Sequence, residues 1–126
     1  MPTSYQSASL AIQHFSYAGL LACLFAAVTV VYLVAMWQLA GSLRSGMRFL
    51  LHTLYLLWQS NIAFVAVVGL SVAVEHAAAA GPLMQGWSRA PYIVPAAALL
   101  YTTIMILSLA VTVLRARSVK PGAADE

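Results

Sequence analysis

An all-α integral membrane protein with three transmembrane helices, N-terminus out and C-terminus in, is the fold class that this sequence predicts. Three observations predict it: an apolar composition, three long stretches free of charge, and basic residues gathered on one side of those stretches. Of the 126 residues, 63% are apolar and only 7% charged, against about half and about a quarter in an ordinary soluble domain. A water-soluble chain of this size hides only about two thirds of its surface, too little for so much apolar area. A bilayer is the solvent that suits it.

The charge-free stretches run over residues 1–43, 49–74 and 90–114. Each holds a helix of about 20 residues, the length that a hydrocarbon core of about 30 Å requires. The expected spans are Phe15–Ala40, Phe49–Val74 and Tyr92–Leu114, in one membrane domain over residues 1–126. Strands of a membrane barrel would alternate in short segments, and nothing here alternates. Helices satisfy their own backbone hydrogen bonds, as lipid demands.

The connections differ in kind. "GSLRSG" (Gly41–Gly46) places two glycines and two serines in a short basic turn, so the first two helices form an antiparallel hairpin. "EHAAAAGPLMQGWSRAP" (Glu75–Pro91) reads as a longer loop, broken at Gly81-Pro82, with Trp87 and Tyr92 at the height of an aromatic belt. Pro95 falls in the first turn of the third helix, where its missing N–H costs least. The polar end, residues 118–126, reads as a disordered tail.

Orientation follows from the basic residues. The first loop and the C-terminal tail share one side, which holds Arg44, Arg48, Arg115, Arg117 and Lys120; the other side holds Arg89. Five against one places the tail in the cytoplasm, and the expected location is a bacterial cytoplasmic membrane. The net charge of +3 is thus a topology signal, and no nucleic-acid partner is expected. No cleaved signal peptide is expected either, because the first residues lack a basic segment and the first apolar run is of full span length. "LLAC" (Leu20–Cys23) has the look of a lipoprotein signal end, but a small buried thiol inside a helix is the preferred reading.

The middle of the second span carries "WQSN", Trp58–Asn61. At 100° per residue, His52, Tyr55, Gln59, Ala63, Ala66 and Ala73 fall on one face, and Asn61 points roughly opposite to Gln59. The first helix offers a small ridge of Gly19, Cys23 and Ala26. Tyr101, Met105, Ser108 and Thr112 share a face of the third. Gln59, Asn61, Tyr55, Gly19, Ala26, Tyr101, Ser108 and Thr112 are therefore the candidates for helix packing or partner contact. Amides and hydroxyls in a bilayer either join helices, at about 0.6 to 2 kcal/mol each, or line a conducting path. Proton or cation passage calls for an intramembrane carboxylate, and no span has one at its core, so packing is preferred.

His14 and His76 lie on the outer side and His52 on the cytoplasmic side. A haem or chlorin needs axial imidazoles on facing helices, which makes these three the candidate cofactor residues; the cofactor itself is unknown, none being the preferred reading, and no metal site is expected. The carboxylates are Glu75, Asp125 and Glu126 alone, with no acid–base pair, activated nucleophile or phosphate loop. A non-enzyme is expected. The function expected is that of a small subunit of a larger membrane protein complex, partnered by other integral-membrane chains in a hetero- or homo-oligomer. The alternatives are a self-assembling pore or a small transporter component. Three spans, N-out and C-in, with a basic tail resemble the topology of one class of phage holins, which implies a pore built from many copies.

Overall fold

The computed structural model describes residues 3–39, 41–84, 86 and 92–118. Three helices make up the chain: α1 (Ser4–Leu39), α2 (Ser45–Ala80) and α3 (Ile93–Ser118), with a 3₁₀ turn over Gly81–Met84 after α2. There is no strand among the described residues. All three helices are long and apolar enough to cross a membrane. Trp87, Arg89, Pro91 and the tail from Val119 to Glu126 lie outside the described residues.

All three helices are longer than the sequence predicts, α1 and α2 by the most. α1 begins at Ser4 rather than near Phe15. Its start is fixed by a reciprocal cap: Gln6 N–H donates to Thr3 Oγ1 (3.2 Å) and Thr3 N–H donates to Gln6 Oε1 (2.9 Å). This threonine–glutamine box satisfies two backbone donors that a helix start otherwise leaves bare. α2 continues through the expected loop to Ala80, because alanine is the best helix former and nothing before Gly81 interrupts the run. It stops where Gly81 takes φ +64° and donates its N–H to Ala78 O, ahead of Pro82. α2 also starts four residues earlier than expected, at Ser45, and α3 runs to Ser118 instead of Leu114.

The turn between α1 and α2 is closed by serine. Ser42 donates both its N–H (3.0 Å) and its hydroxyl (3.2 Å) to Leu39 O, answering a carbonyl that α1 leaves unpaired at its end. α1 and α2 then lie antiparallel over their whole length, with three buried clusters along the seam. At the end far from the turn, Ala11 meets Ala77, Ala80 and Met84. In the centre Phe25 meets Ile62 and Ala63. Near the turn, Tyr32 and Met36 meet Tyr55.

α3 leans on the centre and the turn end of this hairpin. Tyr101, Ile104 and Met105 pack on the central cluster and Leu109 on the one near the turn. Its only buried side chains among the described residues are the hydroxyls Ser108 and Thr112. The large apolar groups instead cover the outside: Val31 is 68% exposed, Phe64 70% and Leu99 70%. Buried alanines and hydroxyls let backbones approach beside the buried Phe25, Tyr32, Met36, Tyr55 and Ile62, while many other bulky residues face away. This is an inside-out arrangement relative to a soluble bundle.

Candidate functional site

The buried polar groups form one seam where the three helices meet. Gln59 of α2 is completely buried and reaches across to α1, its Nε2 donating to Phe25 O (3.0 Å) and Thr29 Oγ1 (2.7 Å). The Thr29 hydroxyl spends its one proton on Phe25 O, four residues back (2.9 Å). Its oxygen is therefore left to accept, from Gln59 and from the Tyr55 hydroxyl at 3.3 Å. Gln59 Oε1 is buried without a hydrogen-bond partner among the described residues. The amide is thus held by its nitrogen.

The seam continues towards the turn through aromatic rings. Tyr55 stacks on Tyr32 with centroids 3.8 Å apart and planes 8° from parallel. The Tyr32 hydroxyl lies 2.5 Å from His52 Nδ1 and 3.0 Å from Thr112 Oγ1. Because the Thr112 proton goes to Leu109 O (2.9 Å), Tyr32 donates to Thr112 and accepts from His52 Nδ1–H. One tyrosine thereby joins α1, α2 and α3. Ser108 turns its hydroxyl back to Ile104 O (2.6 Å), and Tyr101 sets its ring edge-on to Phe25 at 4.7 Å.

Of the residues singled out by sequence, the structure brings together Gln59, Tyr55, His52 and Thr112, with Tyr101 and Ser108 beside them. Gly19 and Ala26 lie elsewhere: both are exposed on the outer face of α1, and a methyl group on Gly19 would meet open space. Cys23, expected to be a buried thiol, is exposed on the same face. The face that α1 turns inward carries Phe25, Thr29, Tyr32 and Met36. These stand at the i, i+4, i+7 and i+11 spacing of a helix stripe, which the sequence reading passed over in favour of the smaller ridge.

Asn61 stands apart from the seam. Ser60, on one flank of α2, sits 4.0 Å from Met105 Sδ of α3. Asn61, 100° further round, is on the other flank, in a shallow groove of about 190 Å³ with Leu21, Trp58, Ile62 and Val65. It is exposed and makes no hydrogen bond among the described residues. Its neighbours in level differ. Thr102 and Thr103 of α3, also exposed, return their hydroxyls to Ala98 O (2.9 Å) and Leu99 O (2.7 Å), so their donors are already spent. Asn61 keeps a free donor pair and a free acceptor.

Two of the three histidines face each other. The rings of His14 and His76 lie 5.4 Å apart and tilted by 36°, with His14 Nδ1 2.8 Å from Leu10 O, a contact in which only the ring can donate. His52 is at the opposite end of α2, committed to Tyr32. No group of three or more His, Cys, Asp or Glu side chains that could hold a metal ion occurs among the described residues. Comparison with protein-family models, with curated proteins and with solved structures finds no match.

Proposed function

We propose that this chain is a small, non-catalytic integral-membrane subunit that packs into a larger membrane protein complex, with its N-terminus outside and its C-terminus in the cytoplasm. Its bulky apolar surface supports insertion, since large hydrophobic side chains face outward on all three helices. The grouping of Arg44, Arg48, Arg115 and Arg117 at the turn end supports the orientation.

The observation that carries the subunit reading is Asn61. It lies 13 positions, about 20 Å, along α2 from Arg48, hence well inside a hydrocarbon core of about 30 Å that begins at the basic turn. An amide held there among Leu21, Trp58 and Val65 has lost water and gained no partner, at a cost of a few kcal/mol. A neighbouring chain that offers a hydrogen bond removes that cost. Gln59 cannot be that partner, because it points about 200° away into its own seam.

The test is a cysteine at position 61. Cys23 is itself exposed, so the experiment uses the Cys23→Ala background. In the native membrane the new thiol is expected to cross-link to an unlike chain, or to be shielded from lipid-phase reagents until the assembly is dissolved. Pairing of position 61 with itself into ladders, with leakage of the membrane, would favour the self-assembling pore. Free labelling of a monomeric protein would remove the support for both.

A further inference from the structure

We infer that the groove between the start of α2 and the end of α3 binds the headgroup of an anionic phospholipid. The groove, about 290 Å³, is lined by Ser45, Arg48, Phe49 and His52 of α2 and by Val113, Ala116 and Arg117 of α3. Two guanidinium groups from different helices thus border one space. Neither takes part in an ion pair or a side-chain hydrogen bond among the described residues. The one acidic side chain among those residues, Glu75, lies 27 positions further along α2, about 40 Å away. Two like charges on one groove, with no counter-charge among the described residues, disfavour each other, and a bound anion reverses the sign of that interaction.

The groove has the polarity of a phospholipid along its length. Ser45, Arg48 and Arg117 stand at its outer end. His52 and Val113 sit one turn nearer the middle of their helices, each about 6 Å deeper. The Nδ1–H of His52 is committed to Tyr32, so the deeper part offers shape more than donors. Phe49, 73% exposed, and Val113, 37% exposed, continue the groove onto the apolar surface. A phosphodiester at the mouth would take bidentate hydrogen bonds from the arginines, while an acyl chain runs inward along Phe49 and Val113. A basic pocket between helices at a membrane face is the setting in which anionic headgroups are held. A free anion would use the mouth and leave the apolar part empty, which is why the lipid is the better fit.

This inference rests on membrane insertion, and not on membership of a complex. The full-length chain, purified in a neutral detergent, is mixed with phosphatidylglycerol or with phosphatidylcholine of the same chain length, and retained lipids are counted by native mass spectrometry. One phosphatidylglycerol is expected to be retained in preference to phosphatidylcholine. The double variant Arg48→Gln/Arg117→Gln should lose that preference by about tenfold to thirtyfold. The charge-matched variant Arg44→Gln/Lys120→Gln should keep it. Equal retention of the two lipids, equal losses in the two double variants, or displacement of the lipid by millimolar inorganic phosphate would each overturn the site. Alkaline carbonate extraction of membranes scores insertion separately. A chain released by carbonate defeats the membrane reading, whereas a chain that stays but does not discriminate defeats only the lipid site.

Discussion

Gln59 and Asn61 are two positions apart and similar in chemistry, and their surroundings make opposite demands. Gln59→Leu removes two donated hydrogen bonds. Their acceptors are not abandoned, because Phe25 O keeps the Thr29 hydroxyl and Thr29 Oγ1 keeps Tyr55. The substitution also removes the unpartnered Oε1. Those offsets hold the expected loss to about 1 kcal/mol, read as an earlier unfolding midpoint in mixed detergent micelles. Asn61→Leu breaks no hydrogen bond among the described residues, so the purified protein should unfold at or slightly above the wild-type midpoint while its recovery in a native assembly falls. Equal destabilisation by both substitutions would mean that Asn61 serves the chain's own fold. The amide positions were legible because an amide in a charge-free run is conspicuous. Tyr32 was not. One tyrosine in a helix rich in bulky residues carries no visible mark of the three-helix junction it makes.

The errors at the level of elements have physical causes. The inward face of α1, with Phe25, Thr29, Tyr32 and Met36, does not stand out in the sequence because apolarity does not separate inside from outside when the proposed surroundings are also apolar. Polar Thr29 between Phe25 and Tyr32 was the available signal. The start of α1 was legible in Thr3–Gln6, a capping box three residues apart, but the eye is drawn to the apolar run that follows it. The alanine run 77–80 reads as loop beside Gly81-Pro82, yet alanine favours helix and here packs against Ala11. The existence of three helices was plain from charge spacing, and the hairpin from the two glycines and two serines of Gly41–Gly46. Gly81 tests the account of where α2 ends. Its φ of +64° strains any residue with a Cβ, whereas the space beside it is open. Gly81→Ala should therefore cost about 1 to 3 kcal/mol through the backbone alone, and Gly19→Ala, in equally open space on a helix face, should cost nothing or stabilise slightly. A neutral Gly81→Ala in the same micelle unfolding assay would refute the assigned stop.

For the whole molecule, the lengths of α1 and α2 matter more than their count. Each has 36 residues, about 54 Å at 1.5 Å per residue, against a hydrocarbon core of about 30 Å. If the chain spans a bilayer as proposed, the excess leaves it at one end or both. In the proposed topology Arg44 and Arg48 pin the turn end at an interface, because an arginine carried deep into lipid is costly. The surplus therefore emerges at the far end, where Ala8 and Ala11 pack on Ala77, Ala80 and Met84 and where Gln13, His14, Glu75 and His76 lie. On this account α1 and α2 project from the outer face as a short two-helix stalk, held together by alanines. In the Cys23→Ala background, a cysteine replacing Ser9, exposed on the stalk, should react in intact cells with a maleimide that cannot cross membranes. A cysteine replacing Ser42, exposed in the turn, should react only after the cells are permeabilised. The reverse pattern would invert the chain and put its basic groove on the outside. Protection of position 9 in both conditions would show instead that the far ends stay in lipid, or under a partner, and that no stalk exists.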